Sequence, residues 1–152
     1  EKPMSVWFEG SNEIRCNIQQ VKDAFENQGE FFAGVVGLMP GLTSVELVEK
    51  GSDLVIIKTN EGKMKRTNLS KRIESERVVV EFDEEYQAGA MTIKSHYFDE
   101  FTTSDTGVNH RTVISDIEAP GIMGFFYRNF GKSNIGKAAL ESYKSYFEKQ
   151  NP

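Results

Sequence analysis

The sequence of 152 residues is short of several features that would identify a class of function. It has a single cysteine, Cys16, which rules out an internal disulfide, and we expect a reducing compartment, the cytoplasm. No apolar run approaches the ~20 residues that a membrane-spanning helix needs. Acidic residues outnumber basic ones, 23 to 18, and the net charge of -5 argues against nucleic acid as a partner. We therefore predict no integral membrane association and no nucleic-acid binding.

Motifs for metal, phosphate or nucleophilic chemistry are also missing from the sequence. The two histidines are His96 and His110, and no spacing of cysteine, histidine and carboxylates fits a zinc site. No glycine-rich phosphate loop occurs. His96 and Asp116 would supply two members of a catalytic triad, but no serine or cysteine is placed to complete it, so we interpret them as a surface pair. We predict neither a metal nor a cofactor.

The stretch from Ala119 to Gln150 is the longest element that the sequence predicts. After Pro120 the chain has no proline until Pro152, and small or apolar positions recur at three- and four-residue steps. This spacing is typical of one long helix with a single buried face, with a kink at residues 131–134. The buried positions are Gly136, Ala139, Leu140, Tyr143 and Phe147. The small residues at its centre predict either a cavity beneath the helix or a close approach of another backbone.

The rest of the chain predicts one strand, two short helices and six further strands. From Leu42 to Ala119 the hydrophobic pattern has a period of two, which indicates antiparallel strands joined by turns. The predicted helices are Ile18 to Asn27 and Phe31 to Met39. The predicted strands are Met4 to Cys16, Thr43 to Glu49, Leu54 to Thr59, Lys63 to Ser70, Glu76 to Asp83, Ala90 to Thr103 and Val108 to Ala119.

Two local sequences within this order of elements carry a resemblance to a known superfamily. They are the turn Asp105-Thr106-Gly107 and the helix entry Ala119-Pro120-Gly121-Ile122-Met123-Gly124. With them the chain resembles the START/pollen-allergen helix-grip superfamily, and above all its polyketide cyclase/dehydrase and lipid-transport group. The resemblance implies an α+β helix-grip fold, in which a seven-stranded curved antiparallel sheet wraps around the long C-terminal helix. Two short helices then lie between the first two strands.

The resemblance also implies that residues 1–152 form a single START-like ligand-binding domain with a mostly apolar cavity. Members of such a superfamily use one fold for different purposes, so the fold does not choose among carriage, sensing and catalysis. A cystatin-like cone is the alternative fold, but it places its main helix first. The late position of the long helix therefore favours the helix grip.

The last predicted hairpin separates the two faces of the sheet. If residues 105–107 form a three-residue turn, Tyr97 and Asp99 share one face with Arg111 and Ser115. That face is the more apolar one, and we predict that it lines the cavity. Its polar side chains would be Tyr97, Asp99, Arg111 and Ser115. Both histidines would then face solvent.

A second hairpin predicts an inward-facing arginine. A two-residue turn at positions 61–62 places Arg66 on the face beneath the apolar helix. A buried guanidinium needs an anion, and three remain open: Glu81, Asp99 or a carboxylate of the ligand. The helices complete the predicted ligand-binding set with four residues. These are Phe32, Phe126, Ala139 and Tyr143.

Three functions remain open at this point. The first is a module that binds a small hydrophobic or aromatic molecule, lipid- or polyketide-like, as a carrier or sensor. The second is a cyclase- or dehydratase-like enzyme without metal, in which Asp99 and Tyr97 move protons on a substrate in the same cavity. The third is a protein-interaction domain with an aromatic contact surface. That surface would consist of Phe31, Phe32, Phe125 and Phe126. The sequence favours the first function and identifies neither the ligand nor the oligomeric state.

Overall fold

The computed structural model describes residues 5–119, 121 and 132–151. Its elements follow the predicted order of one strand, two short helices, six strands and a C-terminal helix, so the α+β class is confirmed. The helices are α1 (Ile18–Glu26), α2 (Gln28–Val36) and α3 (Lys132–Glu148). The strands are β1 (Val6–Ile14), β2 (Val45–Lys50), β3 (Val55–Thr59), β4 (Lys63–Ile73), β5 (Arg77–Ala88), β6 (Met91–Ser104) and β7 (Gly107–Glu118). The predicted part of the last helix over 122–131, with Phe126, lies outside the described residues.

All seven strands form one antiparallel sheet in the order β1-β7-β6-β5-β4-β3-β2. The strands from β2 to β7 each pair with the next strand along the chain. The first strand instead pairs with the last, so β1 and β2 lie at opposite edges of the sheet. Because α1 and α2 connect these two strands, they must span the sheet from one edge to the other. The predicted seven-stranded curved sheet is confirmed.

Two bulges with left-handed backbone bend the sheet. At Asn68 in β4 and Asp116 in β7 the φ angles are 54° and 56°, and the strand pairing shifts register at both places. Asparagine and aspartate adopt this conformation more readily than most other residues with a side chain. An extra residue in one strand increases the local bend. The two bulges therefore help the sheet to curve around α3.

The paired helices α1 and α2 carry much of the aromatic core. Asn17 caps the first turn of α1, since its side chain accepts a hydrogen bond from the backbone N of Gln20 at 2.9 Å. The Gln20 side chain accepts one from the backbone N of Asn17 in return, which completes a capping box. α2 has hardly any polar face and buries Phe31 and Phe32 completely. Burial of each ring stabilises the fold by about 2 to 3 kcal/mol.

The C-terminal half of α3 is held in a solid aromatic core. The Tyr143 and Phe147 rings lie 5.7 and 5.3 Å from the ring of Phe31, measured between centroids. At the end of the helix, Glu148 accepts a hydrogen bond from the backbone N of Arg15 at 2.9 Å. This end of the helix is therefore fixed both by packing and by a polar contact.

The N-terminal half of α3 approaches β1 closely at Gly136. A Cβ atom added to Gly136 would lie 2.3 Å from carbon atoms of the Phe8 ring, far inside van der Waals contact. The sequence predicted either a cavity beneath the helix or a close approach of another backbone at its small residues. At Gly136 the helix approaches β1 closely. Ala139, one turn further along, borders an open space that is described below.

The predicted end of β5 is wrong, and the difference affects the site. The sequence predicted that this strand ends at Asp83 and that the next strand begins at Ala90. Instead β5 continues to Ala88, which pairs with Met91, and Gly89 with φ 61° helps to form a two-residue turn. The longer strand carries Glu84 into the interior.

Candidate functional site

The sheet, α2 and α3 enclose a cavity of about 370 Å³, which is at the small end of the range for small-molecule sites. Its wall is mostly apolar, and its polar side chains come from the strands, the β3–β4 turn and α3. The described residues that line it are Val35, Val36, Met39, Pro40, Leu42, Glu61, Met64, Arg66, Glu84, Tyr86, Ala88, Met91, Ile93, Tyr97, Thr112, Ile135, Ala139 and Tyr143.

Arg66 is the buried cation of this cavity, as the β3–β4 hairpin predicted. It is 6% exposed, and its Cζ atom lies 4.6 Å from the ring centroids of both Phe32 and Phe82. Its Nε donates to Oε1 of Glu84 at 3.2 Å, in a contact where both side chains are almost fully buried. Its Nη1 has no hydrogen-bond partner among the described residues. Two aromatic rings and Glu84 thus hold the guanidinium, while its Nη1 group stays without an acceptor among the described residues.

The surroundings of Arg66 keep it charged. Burial opposes the charged form, but the negative charges of Glu84 and Asp99 outweigh this effect, so the pKa of the guanidinium lies above its ordinary value. The sequence left Glu81, Asp99 and a ligand carboxylate open as the partner anion. In the structure Glu84 is the partner anion of Arg66. Glu81 lies on the outer face beside His96, and Asp99 acts on Arg66 by its negative charge without a hydrogen bond.

Tyr143 brings a phenol from α3 to the same end of the cavity. Burial raises the pKa of Tyr143 far above its ordinary value, and the negative charge of Asp99 acts in the same direction. The phenol therefore stays protonated over the whole physiological range and can donate a hydrogen bond. Tyr97 and Thr112 also border the cavity near this end.

Asp99 and His110 form a buried pair that the sequence did not predict. Asp99 Oδ1 lies 2.7 Å from Nε2 of His110, and the two residues are 1% and 0% exposed. The His110 ring stacks on Phe101 with centroids 4.3 Å apart. Asp99 Oδ2 and His110 Nδ1 have no hydrogen-bond partner within the described ranges. Neither residue lines the cavity, so the pair lies behind its wall.

The predicted ligand-binding residues lie in different places. Four of them line the cavity: Arg66, Tyr97, Ala139 and Tyr143. Phe32 packs against the Arg66 guanidinium. Asp99 faces the interior but is sealed off from the cavity. Arg111 and Ser115 lie elsewhere, and Phe126 is outside the described residues.

The prediction that Arg111 and Ser115 face the cavity is wrong because the last hairpin has a different turn. Ser104 pairs with Gly107 across a two-residue turn, so Asp99 lies opposite Thr112, one residue away from the predicted register. Arg111 is therefore on the outer face, where its Nε donates to Glu9 at 2.8 Å. The inward positions of β7 carry these residues instead: Val108, His110, Thr112 and Ile114.

Ser115 pairs with His96 in the sheet, on the face opposite to Tyr97. It is fully buried, and its Oγ finds no hydrogen-bond partner in the part of the chain that the structure describes. A two-residue turn at Asp105-Thr106 is the signal that would have given the right register, since two-residue turns are the commonest hairpin connections.

His96 occupies the outer face as predicted, but with other partners. Its Nδ1 lies 2.8 Å from Asp83 and its Nε2 2.9 Å from Glu81, both on β5, while Asp116 accepts a hydrogen bond from the backbone N of Ser5. Burial alone would lower the pKa of His96, but hydrogen bonds to the two carboxylates raise it above its ordinary value. The imidazolium form suits this position because both ring nitrogens can then donate.

Comparisons with known proteins establish the fold. No protein-family model matches the chain, and no curated protein matches it either. A START superfamily protein from Mycobacterium smegmatis superposes with a TM-score of 0.61 at 8% sequence identity, over 95% of this chain and 98% of that one. A conserved protein from Geobacillus kaustophilus gives 0.65 at 13% identity, over 93% and 92% of the two chains.

The Zhui aromatase/cyclase from Streptomyces sp. R1128 superposes with a TM-score of 0.52 at 10% identity, over 99% of this chain and 97% of that one. At such low identity these similarities show the fold alone. The chain therefore has the helix-grip fold of START and aromatase/cyclase proteins, and the resemblance found in the sequence is confirmed at this level.

None of the helices within the described ranges is both long and apolar enough to cross a bilayer. Across residues 5–119, 121 and 132–151, no group of three or more histidine, cysteine, aspartate or glutamate side chains is arranged to hold a metal ion.

Proposed function

We propose that this protein binds a small, mostly apolar molecule in the cavity between the sheet and α3, as a carrier or sensor. The observation that carries the proposal is the Nη1 group of Arg66, a buried donor without a partner among the described residues in an otherwise apolar cavity. A buried donor that lacks an acceptor destabilises a protein by about 1 to 3 kcal/mol. A ligand that supplies the acceptor would recover this free energy on binding.

The shape of the cavity supports the same proposal. Its apolar wall can hold a hydrocarbon or aromatic body, while Arg66 and Tyr143 can fix one polar end. We propose that residues 1–152 act as one ligand-binding domain in the cytoplasm, where the single free cysteine, Cys16, would stay reduced. Lipid-like and polyketide-like molecules both fit this description.

The two alternative functions find less support. An enzyme that uses Asp99 as an acid would need that carboxylate at the cavity surface, and it is buried behind the wall. The interaction surface would need exposed rings, and Phe31 and Phe32 are 1% and 0% exposed. The other two rings of that surface, Phe125 and Phe126, lie outside the described residues.

The proposal is tested by native mass spectrometry of gently purified protein, followed by extraction and identification of any bound molecule. A cavity-filling variant, Ala139→Phe, provides the control, because Ala139 lines the cavity. Lys137→Phe adds the same ring to an exposed position of the same helix. We expect a bound apolar molecule in the wild type and in Lys137→Phe, and its loss in Ala139→Phe. Equal retention by all three proteins, or failure of the wild type to take up any apolar probe, would exclude this cavity as the site.

A further inference from the structure

The geometry around Arg66 restricts how a ligand can approach the guanidinium. Phe32 and Phe82 both pack against it, each with the ring centroid 4.6 Å from Cζ, and the two centroids lie 5.4 Å apart. Glu84 already accepts from Nε at 3.2 Å. Nη1 is a buried donor that lacks a partner among the described residues, and Arg66 as a whole is 6% exposed. A ligand that satisfies Arg66 must therefore present a hydrogen-bond acceptor to Nη1.

The charges around the cavity restrict what this acceptor can be. Within the described residues, the charged side chains that line the cavity are the cation Arg66 and the two acids Glu61 and Glu84. Behind the wall, Asp99 adds a further carboxyl group, hydrogen-bonded to His110. The positive charge of Arg66 is already matched by Glu84, its buried hydrogen-bonded partner. The described residues that line the cavity therefore leave no positive charge over for an anionic ligand.

A ligand carboxylate would thus add a negative charge beside a buried pair, Arg66 and Glu84, whose charges already balance. Such like-charge contacts are strongly unfavourable where water is excluded. A ligand amine would place a second cation and further donors beside Arg66, although the Nη1 group of Arg66 lacks an acceptor. An uncharged acceptor avoids both conflicts.

We propose that the ligand's polar group is an uncharged carbonyl, such as a ketone, aldehyde, ester or amide, which accepts a hydrogen bond from Nη1 of Arg66. The cavity then selects neutral carbonyl compounds over carboxylates and amines of the same size. This inference rests on the proposed function, because it specifies the chemistry of the molecule that fills the same cavity.

A matched set of four naphthalenes tests the inference with the protein of residues 1–152 at pH 7. The compounds are 2-acetylnaphthalene, 2-isopropenylnaphthalene, 2-naphthoate and 2-(aminomethyl)naphthalene. The isopropenyl compound copies the shape of the ketone but replaces its oxygen by a CH₂ group. Dissociation constants come from titrations of the ¹⁵N-labelled protein followed by NMR. We expect the ketone to bind roughly 10-fold more tightly than each of the others, in line with the effect of satisfying one buried donor.

The double variant Arg66→Met/Glu84→Met provides the control without leaving an unpaired buried charge. It should bind the ketone and the isopropenyl compound equally, to within about 2-fold. The inference is overturned if the wild type binds 2-naphthoate or the amine as tightly as the ketone, or if it does not distinguish the ketone from the isopropenyl compound. In each of those cases the compounds would still bind in the cavity, so the inference would fail and the proposed function would stand. Failure of all four compounds to bind would count against the proposed function and the inference together.

Discussion

The buried ion pair between Arg66 and Glu84 allows a sharp test of how this site is held together. The two side chains are 7% and 10% exposed and share one contact, from Nε to Oε1 at 3.2 Å. Removal of one member of such a pair leaves an uncompensated buried charge, which destabilises a protein by about 3 to 5 kcal/mol. Replacement of both members by apolar residues of similar volume is often close to neutral.

We therefore expect Arg66→Met to lower the free energy of unfolding by about 3 to 5 kcal/mol. Glu84→Met should have a smaller effect, about 2 to 3 kcal/mol, because Phe32 and Phe82 still stabilise the cation by cation–π contacts of about 1 kcal/mol or more each. The double variant should lie within about 2 kcal/mol of the wild type. The coupling between the two substitutions should thus exceed about 3 kcal/mol.

Urea unfolding with linear extrapolation measures each free energy, provided that the m-value stays constant across the four proteins. The exposed pair between Arg111 and Glu9 is the matched control. Its contact is shorter, 2.8 Å, but the side chains are 40% and 50% exposed. The same cycle there should give a coupling of about 0 to 1 kcal/mol. If the two single effects at Arg66 and Glu84 simply added, the view that burial creates the coupling would be refuted.

Three further predictions concern stability. Gly136→Ala should destabilise the fold by about 1 to 2 kcal/mol, because overlap with the Phe8 ring outweighs the gain in helix propensity of about 1 kcal/mol; a higher melting temperature would contradict this. His96→Gln should lower stability by about 1 kcal/mol below pH 6.5, and the difference should shrink as pH rises through the raised pKa of the folded state, which unfolding curves at pH 6 and 9 would show. Glu148→Gln should lose about 1 kcal/mol at pH 7, because hydrogen bonds from Lys144 and the backbone N of Arg15 lower the pKa of Glu148 to about 2. That difference should disappear as pH falls from about 4.3 toward 2, so a loss that is constant with pH would argue against it.

The sequence was sufficient to predict the architecture and the inward direction of Arg66, because side chains alternate between the two faces of a strand. The predicted turn at residues 61–62 would pair Arg66 with Ile57, but in the structure Arg66 pairs with Val55. A shift of two residues keeps each side chain on its face, so the predicted direction of Arg66 is right although the predicted pairing is wrong. The order of elements and the buried stripe of α3 followed from hydrophobic periods alone. These signals are local, and a single sequence displays them directly.

The acidic partner and the buried histidine could not be predicted in the same way. Glu84 falls beyond the predicted end of its strand, in a run of charged residues that reads as a turn. The direction of His110 depends on whether the last turn has two or three residues, and a change of one residue exchanges the faces of the whole strand. The bulge at Asp116 then shifts the pairing by one more residue, so that Glu118 lies opposite Lys94. A three-residue turn would give this same pairing, so the error in the turn does not affect the far end of the hairpin.

The packing along α3 is uneven, and this separates the residues that stabilise the fold from those that determine which ligand fits. The half around Tyr143 and Phe147 belongs to the solid core, while the half that contains Ile135 and Ala139 borders open space. Exchange of side chains around that open space removes few existing contacts, so the choice of ligand can change while folding still relies on the aromatic end. Arg66 and Tyr143 are exceptions, because both are buried in the protein and also line the cavity. A lineage of such proteins can therefore acquire new ligands readily, as long as Arg66 and the residues that contact it change together.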